Sequence, residues 1–122
     1  MRKPFEYAVI RLMPRVERGE QINVGVILYC QALGFLGART HLDADRVRAF
    51  APDVDLAAVA AALESWDRTC SGAGPAQRMT PGERFRWLVA PRSTMLQPGP
   101  VHTGLTADPA AELDRLLDTL VR

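Results

Sequence analysis

Apolar residues dominate three segments in the N-terminal third of the chain, and their pattern predicts three β-strands. Residues 5–13 form the first, which ends because Pro14 cannot donate a backbone hydrogen bond to a neighbouring strand. Residues 22–30 form the most apolar of the three, and residues 33–40 can return antiparallel to it. The pattern therefore predicts an N-terminal strand followed by a hairpin.

The second predicted strand is apolar on both faces. A side-chain period of two places five residues on one face: Ile22, Val24, Val26, Leu28 and Cys30. Ile27 and Tyr29 make the other face apolar too, which indicates a central strand covered on both sides. Gly25 weakens the middle of this strand, so it predicts either a bulge or a close approach of other atoms to the backbone.

Apolar residues recur at helical spacing in the rest of the chain and predict four helices. Asp43 caps a short helix that ends before Pro52, and Asp53 or Asp55 caps a longer helix that reaches Cys70.

The last two predicted helices begin with capping signals that contain proline. A helix over residues 81–89 begins with the capping box Thr80 to Glu83 and buries Phe85, Leu88 and Val89. A final amphipathic helix follows Asp108-Pro109.

Strands and helices occur in blocks, which favours an α+β fold with an antiparallel sheet. We expect a single domain over residues 1–122. Its small sheet consists of the N-terminal strand plus the hairpin, with a second short hairpin across Pro98-Gly99-Pro100 as an option, and about four helices cover it. Residues 5–12 would lie at the sheet edge, where an exposed strand could accept a strand from a partner.

Composition narrows the classes of protein. With 48% hydrophobic residues, no apolar run approaches the roughly 20 residues that span a bilayer, and the N-terminus lacks signal-peptide features, so a cytoplasmic protein without membrane contact is expected. Cys30 and Cys70 are too far apart for a paired-cysteine metal site, which favours two reduced, buried thiols. A net charge of +1 gives weak support to nucleic-acid binding.

Three clusters of polar residues are candidates for chemistry. The first is His41, Asp43 and Asp45, a possible metal site. Helix capping by Asp43 explains this cluster better, so no metal and no cofactor are predicted.

The second cluster would supply a nucleophile and a base. Ser93 or Thr94 could lie beside His102 if the second hairpin forms. No nucleophile elbow accompanies them, and we favour a hairpin with exposed hydroxyl groups.

The third cluster is a candidate phosphate or nucleic-acid site. Arg18, Glu20 and Asn23 lie beside the second strand, and Arg86 and Trp87 could add an arginine and a stacking ring. There is no phosphate-binding glycine-lysine loop, so we favour a solvated arginine face with Trp87 partly buried. Glu20 or Asn23 could instead satisfy backbone groups near the interruption of the second strand.

Four segments together resemble a known family. In chain order they are RGEQINVGVIL (18–28), RFRWL (84–88), STMLQPGPVHTGL (93–105) and DPAAELDRLL (108–117), and they are similar to the bacterial domain-of-unknown-function 3037 family. The resemblance implies a small stand-alone bacterial protein and no established catalytic or binding residues. Some relatives are encoded beside a kinase resembling the HipA persistence toxins, which implies a partner or antitoxin-like role.

Three functions follow in order of preference. The first is a non-catalytic, cytoplasmic protein-binding module whose partner could be a HipA-like kinase. The second is a phosphate- or nucleic-acid-directed enzyme, and the third is a DNA-binding module. The candidate site or interface residues are Arg18, Glu20, Asn23, Ser93, Thr94 and His102. The enzyme gains support if Ser93 and His102 meet Arg18 or Glu20 in one cleft.

Overall fold

The computed structural model describes residues 1–92 and 94–122 and has the predicted α+β architecture. Five strands and four α-helices occur within these residues. In chain order they are β1 (Lys3–Leu12), β2 (Ile22–Cys30), β3 (Phe35–Thr40), α1 (Ala44–Phe50), α2 (Leu56–Cys70), α3 (Pro81–Leu88), β4 (Leu96–Pro98), β5 (His102–Thr106) and α4 (Pro109–Leu120), with a short 3₁₀ helix at Gly74–Arg78. None of the helices in the described ranges is long and apolar enough to cross a membrane.

The sheet is antiparallel, and β1 lies inside it. β3 pairs with β2, β2 pairs with β1, and both β4 and β5 pair with the other side of β1. The prediction that residues 5–12 form an exposed edge is therefore wrong. One edge is β3, and the other is the line formed by β4 and β5.

The Pro98-Gly99-Pro100 segment does not form the turn of a hairpin, so the optional second short hairpin is absent from the described residues. β4 and β5 run in the same direction along β1, where Ile10 pairs with Pro98 and Tyr7 pairs with His102. Two residues of β1 separate these pairs, whereas three residues separate them on the edge, so the segment is a bulge. The Gly99 N–H donates to the Val9 carbonyl at 2.8 Å, so β1 supplies the backbone partner that a hairpin would have supplied.

A second bulge lies in β2 and reverses the alternation of its side chains. Ile10 pairs with Gly25 and Arg11 pairs with Asn23, so Val24 has no partner residue on β1. A Cβ atom at Gly25 would lie 2.9 Å from the Arg39 carbonyl oxygen. Both expectations for Gly25, a bulge and a close approach, are confirmed.

The bulge divides the apolar residues of β2 between two cores, so the prediction that five of them share one face is wrong. Ile22, Val24 and Ile27 pack against α1, α2 and α3 on one side of the sheet, called face A below. Val26, Leu28 and Cys30 pack against α4 on the other side, face B. β2 is covered on both sides, as its apolar pattern predicts.

The helix ends follow the capping signals of the sequence. Asp43 accepts a hydrogen bond from the Arg46 N–H, and Asp55 rather than Asp53 caps α2. Thr80 and Glu83 form the predicted capping box, and Asp108 caps α4. Among the described residues, no group of three His, Cys, Asp or Glu side chains is placed to hold a metal ion.

Candidate protein-interaction site

Arg18 and Glu20 lie in an open cleft at the end of the sheet where β1 meets β2. The cleft has a volume of about 610 Å³, and its opposite wall is the connection between α1 and α2, including Phe50 and Asp53. Arg18 forms an ion pair with Glu20, and Arg15 lies 3.4 Å from Glu17. Because carboxylates neutralise these arginines, the cleft presents mixed charge and no concentrated positive potential for a phosphate group.

Asn23 holds the end of α4. Its Nδ2 donates to the Leu120 carbonyl at 3.0 Å, and Arg46 donates to the neighbouring Val121 carbonyl at 2.8 Å. The last carbonyls of a helix lack partners within the helix, so these side chains satisfy them. Asn23 is thereby committed to packing α4 on the sheet, and it does not satisfy the groups beside Gly25.

Thr94 and His102 lie at different points along the part of the chain that forms the edge of the sheet. Ser93 lies outside the described residues. Thr94 precedes Met95, which lines the cleft, and its hydroxyl donates to the Leu96 carbonyl at 2.7 Å. His102 lies opposite Tyr7, with the two ring centroids 5.4 Å apart.

His102 is therefore distant from the cleft that contains Arg18 and Glu20. Tyr7 and Leu12 are five residues apart on β1, which corresponds to roughly 16 Å of strand. The cleft lies beyond the Leu12 end of that strand. The structure brings Arg18 and Glu20 together and leaves His102 beside the middle of β1.

A different surface is formed by α3 and contains an exposed tryptophan. Trp87 is 62% exposed, whereas Phe85 and Leu88 of the same helix are buried. Phe85 and Leu88 are three positions apart and occupy the side of α3 that faces the core, so Trp87 projects away from it. The sequence pattern predicted a partly buried Trp87, and in the structure most of this side chain is exposed. The helical phase set by Phe85 and Leu88 is the signal that could have located it.

Trp87 borders a shallow groove of about 730 Å³ that also contacts β2. Its lining includes Tyr29, Gln31, Met79 and Arg86. Trp, Tyr, Arg and Met are enriched where proteins bind one another, since they offer large contact areas with few polar atoms or a planar cation.

Arg86 connects this groove to β1. Its two terminal nitrogens donate to the two carboxylate oxygens of Glu6 at 2.8 and 2.7 Å, and this hydrogen bonding raises the pKa of Arg86. Glu6 also lines a second groove of about 590 Å³ with Tyr29, Gln31 and Thr103. The two grooves share residues and form one continuous surface. We call it the Trp87 surface and define it by Glu6, Tyr29, Gln31, Met79, Arg86 and Trp87.

Tyr29, at the base of the Trp87 surface, packs closely against α3. The Tyr29 ring stacks on buried Phe85 with centroids 5.4 Å apart. A Cβ atom at Gly82 would lie 3.0 Å from the Tyr29 hydroxyl, so glycine lets α3 approach β2 closely. Tyr29 is therefore held by close packing against α3.

The comparisons with known proteins agree with the segments that carried the resemblance. A family model described as "Protein of unknown function (DUF3037)" matches residues 7–121. No curated protein matches the chain, and no solved structure matches it. The family match covers nearly the whole chain and includes the bulged edge and every residue of the Trp87 surface except Glu6. The chain therefore belongs to the DUF3037 family.

Proposed function

We propose that this protein is a non-catalytic protein-binding module and that its partner binds at the Trp87 surface. The observation that carries the proposal is the 62% exposure of Trp87 beside a fully buried Phe85. Phe85 and Leu88 already pack α3 against the core, so the Trp87 side chain contributes little to that packing. Large exposed aromatic side chains are typical centres of protein interfaces.

The geometry of the neighbouring side chains supports the proposal. Glu6 holds the guanidinium of Arg86 in one orientation, and Phe85 holds Tyr29. A partner would therefore lose little side-chain entropy at these anchors when it binds.

The enzyme hypothesis has less support from the described residues. Arg18 is paired with Glu20, and Asn23 is committed to the end of α4. His102 lies roughly 16 Å of strand away from the cleft end of β1. Nucleophilic and general-base catalysis both need the reacting groups within hydrogen-bond reach, and these residues are not assembled in that way.

A kinase resembling the HipA toxins is the first partner to test, because the family resemblance implies such a genetic neighbour. We place the interaction in the bacterial cytoplasm. The two cysteines are buried and unpaired, which suits a reducing compartment.

The test is affinity purification of the tagged protein from its native cytoplasm, with partners quantified by mass spectrometry. We compare the wild type with Trp87→Ala and with the matched control Phe50→Ala, which removes another exposed aromatic ring, 36% exposed, from the first cleft. The proposal expects a stoichiometric partner that Phe50→Ala retains and Trp87→Ala loses. Recovery of no stoichiometric partner, or equal recovery by both variants, contradicts it.

A further inference from the structure

We infer that the partner binds through an extended segment that pairs with the free edge of β5 and alternates apolar with acidic side chains. This inference rests on the proposed function and names the kind of partner. Three features of the edge carry it: its outward-facing backbone groups, the exposed apolar side chains on face A, and the positive charges of Lys3 and Arg11 on face B.

The backbone of β5 presents hydrogen-bonding groups away from the sheet. The Val9 carbonyl accepts from Gly99, so alternate residues of β1, including Tyr7 and Phe5, direct their backbone groups toward this edge. Their partners on β5 point inward, and Thr103 and Leu105 point their N–H and C=O groups outward. Arg2 donates to the Leu105 carbonyl at 3.3 Å from the outer side, which agrees with this assignment and means that a partner strand would displace this one contact.

The other free backbone stretches are less suited to a partner strand. On β3 the side chain of Arg39 donates to the Ala38 carbonyl at 3.1 Å and is also held by Asp114, with Nε 3.4 Å from the carboxylate. A partner strand there would have to displace an anchored side chain, whereas Arg2 makes one contact with the β5 edge. Beside β4, Pro98 and Pro100 have no N–H to donate. This leaves residues 101–106, about the length of an average strand.

On face A the β5 edge continues the Trp87 surface with apolar side chains. Thr103 pairs with Glu6 and lines the groove that Glu6 shares with Tyr29. Leu105 lies on the same face and is 52% exposed, and Val101, which precedes β5, is 38% exposed. A strand added here would place every second side chain beside these residues, where apolar groups bury the most area.

On face B the same edge carries the positive charges of Lys3 and Arg11. Lys3, Arg11 and His102 lie on this face by their position in the strands. Within residues 1–92 and 94–122, neither Lys3 nor Arg11 has a carboxylate within ion-pair distance.

The Arg11 side chain lies against the bulge at Gly99. Its guanidinium covers Gly99, where a Cβ atom would lie 3.0 Å from Cζ, and its buried Nε has no hydrogen-bond partner among the described residues. Lys3 pairs with Thr106 and Arg11 with Gln97, so acidic side chains toward the two ends of the partner segment would face these two positive charges.

The test uses a synthetic nine-residue peptide that alternates glutamate with valine and a control peptide that carries lysine in place of glutamate. The protein variants are Thr103→Pro, which removes an outward N–H without breaking a bond to β1, and the matched Thr103→Val, which keeps it. Binding is titrated by NMR, and hydrogen exchange of the Thr103 and Leu105 amides is followed. Circular dichroism establishes that both variants are folded.

We expect the glutamate peptide to bind, to slow the exchange of both amides, and to bind Thr103→Pro about tenfold or more weakly than Thr103→Val. The lysine peptide should bind more weakly than the glutamate peptide. No binding of the glutamate peptide, equal affinity of the two variants, or unprotected amides would overturn the inference.

Different experimental outcomes would contradict the protein-binding function and the pairing of a partner strand with β5. A partner that is lost from Trp87→Ala but retained by Thr103→Pro would overturn the strand inference and leave the protein-binding function standing. A peptide that binds β5 as expected, combined with no stoichiometric cellular partner, would instead contradict the proposed function.

Discussion

Replacing each tryptophan with alanine should separate a core position, Trp66, from an exposed position, Trp87. Trp66 on α2 is 6% exposed, and the guanidinium of Arg92 lies 5.0 Å from its ring centroid. Trp87 on α3 is 62% exposed. Because the substitution is the same at both positions, the difference in the free energy of unfolding reports mainly the difference in burial.

The expected magnitudes follow from the buried area. A tryptophan side chain can bury up to about 250 Å², of which Trp66 buries nearly all, and loss of a buried aromatic ring typically costs about 3–5 kcal/mol. Trp87 buries the remaining 38%, or about 95 Å², worth at most about 2.4 kcal/mol at 25 cal/mol per Å². The expected loss of stability for Trp87→Ala is smaller, about 1 kcal/mol. Alanine still covers part of the area, the unfolded chain is already compact, and alanine has the higher helix propensity.

The assay is urea denaturation followed by circular dichroism, which does not depend on tryptophan fluorescence. We expect Trp66→Ala to lose at least about 2 kcal/mol more stability than Trp87→Ala. Equal losses, or a loss of about 3 kcal/mol or more for Trp87→Ala, would show that Trp87 belongs to the core and would remove the basis of the proposed interface.

Three further predictions concern the bulge, a helix cap and the thiols. Gly25→Ala should destabilise the fold by about 1–3 kcal/mol in urea denaturation, because the new Cβ meets the Arg39 carbonyl at 2.9 Å, and an unchanged midpoint would refute the close approach. Hydrogen bonds from Thr80, chiefly from its backbone N–H, lower the pKa of Glu83. The Glu83 carboxylate therefore stabilises the fold above its ordinary pKa of 4.5, and this stabilisation is lost as the pH falls through the lowered pKa. The stability difference between wild type and Glu83→Gln should therefore shrink from about pH 7 to about pH 3, and a constant difference would contradict this. Burial raises the pKa of the Cys70 thiol to about 12, so iodoacetamide should label it at neutral pH only after unfolding, and rapid labelling of the folded protein would count against its burial.

The features that the sequence predicted well depend on short-range interactions. The caps at Asp43, Thr80 and Asp108 each join groups three residues apart, so they are visible in any short window of sequence. The strands and amphipathic helices likewise follow from periodicity along a single segment.

The features that the sequence predicted wrongly depend on pairing between distant strands. Pro98-Gly99-Pro100 has the composition of a turn, yet β1 offers Gly99 a backbone acceptor some ninety residues earlier in the chain, at Val9. The same long-range pairing with β4 and β5 removes β1 from the edge. The sequence located the β2 bulge at Gly25 but did not predict the resulting change of face, since an alternating pattern assumes regular pairing.

The candidate site was predicted least completely, for a related reason. Arg18, Glu20 and Asn23 are close in sequence, but Asn23 bonds to Leu120 at the far end of the chain, and its role follows only from the tertiary fold. The Trp87 surface combines β1, β2 and α3, which are distant in sequence. Of its parts, only the outward phase of Trp87 could have been derived from the sequence.

Site-specific photocrosslinking in cells tests the central claim most directly. A benzophenone amino acid replaces Trp87 in one sample and Phe50, the exposed aromatic residue of the other cleft, in a second sample. If a partner binds at the Trp87 surface, one discrete crosslinked protein forms from position 87 and is absent from position 50. No crosslinked protein at position 87, or the same products at both positions, would contradict the claim.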